Sequence, residues 1–245
     1  MAEPRELAAQ VEEGVPLPSG SEERFSGYGV MGLPFASGHV LAMRRFTASS
    51  VGPDYTSVWH RDPNGRWTMY GNVPPEQSCP RYFGSEVAAV AVEQITIDWT
   101  GDRSFSVSIS DRLAWDVSLD QPLAMKAMNA AAGIMPDALW RSAAVLKGMS
   151  AVAGLVLGAG RLGLAGITPN GQRFVANPLQ TWSITSSSAT IDGRDLGPIG
   201  PLMEQAHLGD FWIPQRGIFV LGRAFFEPFD ASRHLAVTSR AEGTG

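Results

Sequence analysis

The chain has 245 residues, a formal net charge of −5 and one cysteine. The acidic balance argues against a nucleic-acid partner, because binding to phosphates draws on clustered Lys and Arg. The one basic pair, Arg44-Arg45, is interpreted as a solvated strand end. Cys79 has no second cysteine to pair with, which favours a reducing, cytoplasmic compartment, and we expect it to be buried or half-buried.

Length and composition predict a single β-rich domain over residues 27–230. Residues 1–26 are acidic and lack a long apolar run, so we expect a flexible arm or short helix and neither a secretory signal nor a membrane anchor. The apolar stretch 142–164 carries basic residues and many Gly and Ala, which favours a core helix over a membrane span. A loosely ordered tail is expected over 231–245.

Strand patterns separated by turn signals begin the domain. Glycine-rich turns are predicted from Gly27, ahead of a strand over 39–47. Two β-rich arms then flank Asp62-Pro63-Asn64-Gly65 in YTSVWHRDPNGRWTMYG. Asn-Gly is a strong hairpin signal because both residues tolerate positive φ, so a hairpin is predicted here.

Three runs with alternating apolar and polar residues follow, at 87–99, 104–110 and 113–119. Alternation with a period of two places the apolar residues on one side of each strand. These runs therefore predict an antiparallel meander with one dry face.

The period then changes to that of a helix. From Pro122 to Leu157 Ala, Leu and Met dominate, and the spacing predicts a two-helix insertion over 121–158, split near 133–136. Because the second helix is apolar on most sides, we expect it to pack against the sheet or to close the mouth of a barrel.

Strand patterns resume after the insertion. A hairpin is predicted in LGLAGITPNGQRFVANP, a third in TWSITSSSATIDGRDLG, and a strand pair or one broken strand in FWIPQRGIFVLGRAFFE. The fold class predicted is mainly β: an antiparallel barrel or a strongly curved sheet with a two-helix insertion in the middle.

No stretch carries a specific cofactor or metal signature. Residues 158–163 read GAGRLG, the letters of a dinucleotide-binding fingerprint, but that motif should follow a strand and open a helix. Here a helix precedes it, so a glycine-rich helix C-cap is the preferred interpretation. The four histidines lack the spacing of metal ligands, and neither a cofactor nor a metal is expected.

Two polar residues in apolar strands are candidate catalytic residues. Glu93 shares the strand parity of Ile95 and Ile97, and His60 shares that of Val58. A carboxyl group facing an apolar cavity is desolvated, so its pKa rises and it can deliver a proton at neutral pH. A strand end or the protein surface is the alternative location for both.

Aromatic residues on or beside predicted strands are candidate ligand-binding residues. They are Trp59, Trp67, Trp99, Trp115, Trp212 and Tyr70. Such side chains either line a pocket for a flat or polyene-like ligand or fill the core, and aromatic content does not separate the two.

Four segments resemble a known family: SVWHRDPNGRWTMY, EQITIDWTGDRSFSVSI, LAWDVSL and GDFWIPQRG. In these patches the chain resembles the lipocalin-like family that includes carotenoid 1,2-hydratases and related cyclase-type proteins. The resemblance implies a lipocalin-like barrel around a hydrophobic small molecule. It matches no family motif residue for residue, so it implies no catalytic residue.

The predicted function is binding of a hydrophobic small molecule, terpenoid- or polyketide-like, in a barrel cavity. A cofactor-independent hydratase, cyclase or isomerase reaction by proton transfer is its enzymatic form, and whether the protein is an enzyme is left open. The alternatives are a non-catalytic carrier and a structural or homo-oligomerising module with a filled core. Exposure of Met125, Met128 and Met135 would favour the last.

Overall fold

The computed structural model describes residues 2–237, which form one large β-sheet with helices around it. The strands before the helical insertion are β1 (Glu23–Pro34), β2 (Val40–Ser49), β3 (Tyr55–Arg61), β4 (Trp67–Gly71), β5 (Ala89–Val92), β6 (Ile95–Gly101), β7 (Ser104–Ile109) and β8 (Leu113–Asp120). The strands after it are β9 (Ala165–Ile167), β10 (Arg173–Ile191), β11 (Arg194–Asp195), β12 (His207–Leu208), β13 (Phe211–Trp212) and β14 (Ile218–Phe226). The helices are α1 (Pro4–Glu12), α2 (Pro80–Phe83), α3 (Leu123–Gly133), α4 (Asp137–Trp140) and α5 (Ala143–Leu157).

The main sheet is strongly curled, so the end of one edge strand lies close to the start of the other. Its strand order is β5-β4-β3-β2-β1-β14-β10-β8-β7-β6, so β5 and β6 lie at opposite edges. Only Glu93 and Gln94 separate Val92 at the end of β5 from Ile95 at the start of β6. Three peptide units span at most about 11 Å, so the edges must approach each other closely. The predicted fold class, a mainly β protein with a strongly curved sheet, is confirmed.

The predicted hairpins and the meander are present. The Asp62–Gly65 turn joins β3 to β4, and β6, β7 and β8 pair antiparallel in sequence. At the tip of β10, Asp192 and Gly193 have φ values of 48° and 74° and turn the chain into β11. The run 87–99, predicted as one strand, is instead β5 and β6, because the chain passes from one sheet edge to the other there.

The glycine-rich segment from Gly27 was predicted as turns, and that prediction is wrong. It lies within β1, where a Cβ on Gly27 would be 2.0 Å from the Arg45 carbonyl oxygen. A Cβ on Gly29 would be 2.1 Å from the Met43 carbonyl oxygen. Glycine is therefore needed because β1 approaches β2 unusually closely.

The helical insertion matches its predicted position but contains three helices, since the short α4 lies between α3 and α5. The Ser142 hydroxyl caps α5 by accepting from the Val145 N–H at 3.4 Å. Gly158 ends α5 in the left-handed region at φ 58°, which is the C-cap that the glycine-rich segment predicts. No helix within residues 2–237 is long and apolar enough to cross a membrane.

Both ends of the described chain contact the sheet. Residues 4–12, predicted as part of an arm, form α1, which buries Ala8 against the main core. At the other end His234 is buried and its Nε2 lies 2.6 Å from an oxygen of Glu227. Of the tail predicted over 231–245, residues 238–245 lie outside the described residues.

We call the concave side of the sheet the inner face. Apolar residues of both edge strands, such as Ala91 and Ile97, pack against one cluster there, which a curled sheet permits only on its concave side. Large buried side chains occupy the centre of this cluster: Phe105, Trp115, Trp182 and Phe219. Side chains therefore fill the centre of the inner face.

The convex side, the outer face, is apolar over β1 to β4, β10 and β14. Alternate residues of one strand divide between the two faces: Leu41 and Met43 lie in the inner cluster, whereas Val40 and Ala42 lie in the outer one. The segment 79–83 and the segment 206–213 cover part of the outer face. The central strands are therefore buried on both sides.

Candidate ligand-binding site

Two adjoining cavities lie on the outer face. The large cavity, about 450 Å³ and partly open to solvent, lies between α3 and α5 on one side and β10 and β14 on the other. The small cavity, about 110 Å³, lies over β1, β2 and β14. Residues lining both are Met31, Leu164, Ala176, Pro178, Phe211 and Val220. The large cavity has the volume of a small-molecule site.

Small residues and an interrupted strand ladder create this space. Gly27 and Gly222 face each other across β1 and β14 and both line the small cavity. The β10–β14 register shifts between Pro178 and Gln180, because proline lacks the N–H that would continue the ladder. The outer face therefore lacks side-chain volume at Gly27 and Gly222, and space remains beside the rings around it.

A side chain of α3 holds the wall of the large cavity in place. Thr181 lies just before the residues of β10 that pair with β8, so its backbone groups have no partner strand on that side. The Thr181 N–H donates to Asn129 Oδ1 at 2.9 Å, and Asn129 Nδ2 donates to the Thr181 carbonyl at 3.0 Å. Asn129 is buried, so this pair fixes α3 against the sheet.

Arg44 lines the small cavity and is only 5% exposed. Its Nη1 donates to the carbonyls of Val30 and Met43, the latter at 2.9 Å, and its Nη2 donates to the Met31 carbonyl at 3.2 Å. The guanidinium carbon lies 4.9 Å from the ring centroid of Trp59. The interpretation of Arg44 as part of a solvated strand end is therefore wrong, because its position on β2 directs it to the covered outer face.

No carboxylate within residues 2–237 forms an ion pair with Arg44. Glu23 is already engaged: Arg81 Nη2 lies 2.6 Å from it and the Tyr82 hydroxyl donates to it at 2.5 Å. Burial lowers the pKa of Arg44 to about 10, so the guanidinium is still charged at neutral pH. The small cavity therefore holds a buried cation that pairs with no anion.

Two further polar groups of the small cavity are unpaired. Trp59 Nε1 and Asn177 Oδ1 are buried and have no hydrogen-bond partner in the described part of the chain. Both residues line the cavity. Unpaired buried polar groups are uncommon in proteins, and a bound ligand is one way to satisfy them.

Cys79 and Tyr55 also line the small cavity, with Tyr55 Oη 3.5 Å from Cys79 Sγ. Burial raises the pKa of the Cys79 thiol and of the Tyr55 phenol. Both groups are therefore neutral at physiological pH, and the thiol lacks the lowered pKa of a catalytic nucleophile. Cys79 is buried, as predicted.

The predicted ligand-binding aromatics divide between the two faces. Trp59 lines the small cavity and Trp212 lines the large one. Trp67 packs edge-on against Trp59, with ring centroids 6.5 Å apart, and lines neither cavity. The remaining three belong to the packing of the inner face: Tyr70, Trp99 and Trp115.

The predicted catalytic residues lie away from these cavities. Glu93 is half-buried at the junction of β5 and β6, where its N–H donates to the Gly71 carbonyl at 2.8 Å. His60 Nε2 lies 2.9 Å from His39 Nδ1, and burial followed by the charge of His39 lowers the pKa of His60 to about 4. Neither Glu93 nor His60 lines the large or the small cavity, and their catalytic role stays a prediction.

Exposure of three methionines would have favoured an oligomerising surface, but none of the three is exposed. Met125 is buried, and Met128 and Met135 are half-buried and line the large cavity. Within residues 2–237 no three His, Cys, Asp or Glu side chains gather into a group that could hold a metal ion.

The sequence contained signals for the residues that were missed. Arg44 follows the apolar run VLAM without a turn, which indicates a strand buried on both faces and not a strand end. The glycines of GYGVMG have no turn-forming neighbours, which indicates close approach of a second strand.

Comparison with known proteins does not assign the chain to a family. No protein-family model matches the chain, and no curated protein is significantly similar to it in sequence. Among solved structures, acetoacetate decarboxylase from Legionella pneumophila aligns with 94% of this chain and 95% of its own, at 11% identity and a TM-score of 0.42. Similarity this low says nothing about the activity of this chain. The lipocalin-like resemblance is not tested by these comparisons and stays a prediction.

Proposed function

We propose that the protein binds a hydrophobic small molecule with one anionic group, such as a terpenoid- or polyketide-like carboxylic acid. The anionic group pairs with Arg44 in the small cavity, and the apolar body extends into the large cavity. The observation that carries the proposal is a buried guanidinium without an anionic partner at the end of an apolar space.

Electrostatics favour a carboxylate as the anionic group. A buried charge without a counter-ion is costly, and three backbone carbonyls and two aromatic rings offset only part of that cost. A planar guanidinium matches the two oxygens of a carboxylate and binds them in a bidentate manner. Binding of an acid would thus supply the missing counter-ion.

A carrier is favoured over an enzyme by the groups that face the cavities. Arg44, with its pKa of about 10, stays charged at neutral pH. Tyr55, Tyr82 and Cys79 have pKa values raised by burial and stay neutral. None of these four groups can both accept and release a proton near neutral pH, as acid–base catalysis requires.

Binding of a fluorescent polyene acid, cis-parinaric acid, and of its methyl ester tests the proposal. The wild type is expected to bind the acid at least tenfold more tightly than the ester. Arg44→Met is expected to bind both equally, whereas the control Arg194→Met, which alters an exposed arginine on β11, keeps the preference. Equal binding of acid and ester by the wild type would overturn the anionic specificity, and binding of neither would overturn the proposal.

A further inference from the structure

The helices that cover the large cavity have an apolar surface facing solvent. On α5 the residues that pack inward are Leu146, Ser150, Ala153 and Gly154. On the opposite side, Val152 is 63% exposed and Leu155 is 85% exposed. A helix that is apolar all round is normally buried in a protein or in contact with lipid, and α5 exposes this side in the monomer.

α3 repeats the pattern. It packs Met125 and Asn129 inward, whereas Leu123 at its start is 83% exposed. Ile134, which follows the helix, is exposed to a similar degree. We call the exposed apolar residues of this region the helical face: Leu123, Ile134, Val152, Leu155 and Val156.

The two helices that carry the helical face contain only basic charges. Lys126 on α3 and Lys147 on α5 are the only charged residues of these two helices, and neither helix contains an acidic residue. The exposed Arg161 follows α5. From residue 121 to 163 there are four basic residues and one acidic residue, in a chain whose net charge is −5. Arg141 pairs with Glu22 at 3.5 Å, whereas the exposed Lys147 on α5 forms no ion pair within residues 2–237.

The large cavity lies directly beneath the same surface. Val152 and Val156 belong to the helical face and also line the large cavity, together with Met128 and Ala131 of α3. A hydrophobic molecule could pass between these helices into the large cavity directly from a partner bound at the helical face. It would not have to cross bulk water.

We infer that the helical face docks the protein on the surface of an anionic lipid bilayer. An apolar strip flanked by lysines is the pattern of interfacial membrane-binding helices, in which the apolar residues enter the headgroup region and the basic residues pair with anionic lipids. A second copy of the chain fits less well, because its α3 and α5 would bring the same lysines and no carboxylate to pair with them. The inference goes beyond the proposed ligand binding and does not require it.

Co-sedimentation with vesicles tests the docking in the absence of any added ligand. Vesicles of phosphatidylcholine with roughly one third phosphatidylserine are compared with vesicles of phosphatidylcholine alone. The wild type is expected to bind the anionic vesicles at least tenfold more strongly, and the difference is expected to shrink as salt is added.

Matched variants separate the helical face from the rest of the surface. Leu123→Ser with Leu155→Ser is expected to weaken binding to anionic vesicles at least tenfold, because both side chains are exposed and line neither cavity. Met203→Ser removes an equally exposed apolar side chain elsewhere and is expected to bind as the wild type does. Lys147→Gln should weaken binding about fivefold, the equivalent of one surface cation, whereas Arg194→Gln should not.

Three outcomes would overturn the inference, the first two in sedimentation and the third in oligomeric state. The first is that the wild type does not sediment with anionic vesicles, and the second is that the double serine variant sediments as the wild type does. The third is that the wild type does not bind vesicles but forms a dimer, and that the double serine variant loses this dimer. A second copy of the chain would then be what covers the helical face. Binding of cis-parinaric acid by the double serine variant is expected to be unchanged, so failure of docking and failure of ligand binding are distinguishable.

Discussion

The inner and outer faces of the sheet are packed differently where they share strand β14. Consecutive residues of β14 show the contrast: Phe219 is fully buried in the inner cluster, whereas Val220 is half-buried and lines both cavities. Large rings occupy the centre of the inner face, whereas the outer face combines a cluster of rings around Trp59 and Tyr82 with open space beside Ala176, Pro178 and Gly222, where a cation is buried. The comparison shows that the centre of the inner face is filled with side chains, whereas the outer face leaves two adjoining cavities beside its buried cluster.

The largest expected effect is on the free energy of unfolding when one side chain of each face is truncated to alanine. Phe219→Ala should lower the free energy of unfolding by about 3 to 5 kcal/mol, because it leaves a void in a closed cluster. Val220→Ala should lower it by about 1 kcal/mol or less, because one side of Val220 already borders empty space. Urea denaturation of both variants measures the difference. Equal losses would show that the outer face is packed as tightly as the inner one.

A glycine substitution gives the next largest effect. Gly222→Ala places a Cβ 2.2 Å from the Asn177 carbonyl oxygen, so the backbone must shift at a cost of about 1 to 3 kcal/mol. As the control, Gly148→Ala in α5 meets no atom within 4 Å. It should stabilise the protein by about 0.5 to 1 kcal/mol, because alanine favours the helix. A stable Gly222→Ala variant would mean that β14 and β10 can separate without loss.

The smallest expected effect is a pH-dependent loss of stability caused by His60 on the inner face. His60 shares the inner parity of Val58, and burial lowers its pKa to about 4. Between that value and the ordinary pKa near 6.5 the unfolded state binds more protons, so stability falls as the pH falls through this window. We expect a loss of about 1 to 2 kcal/mol, since partial exposure screens the charge.

His60→Gln serves as the comparison for that loss. Urea denaturation near neutral pH and at about pH 4.5 should show a smaller decrease for the variant than for the wild type, because the variant lacks the titrating group. An identical decrease in both proteins would assign the pH dependence to other groups.

Most of the fold was predictable because its signals are local. The Asn-Gly and Asp-Gly turns, the alternation of Phe105, Val107 and Ile109, and the cap at Gly158 each depend on a few adjacent residues. The division of 87–99 into two edge strands was not predictable, because it depends on how the whole sheet curls.

The site was harder to predict for a related reason. Alternation places Trp59 and Trp115 equally well on an apolar face, and it does not say which face is filled. Arg44 was missed because a basic residue in a strand is most often solvated, and only the covering segments make its position buried. The predicted polar residues were sought on the inner face, whereas the unpaired charge lies on the outer one.

The most direct test of the account is a crystal structure with dodecanoic acid brominated at its terminal carbon. Anomalous scattering should place the bromine between α3 and α5 in the large cavity, and the carboxylate should lie within hydrogen-bond distance of the Arg44 guanidinium. Bromine located only on the protein surface or within the inner face, with Arg44 still unpaired, would contradict the account.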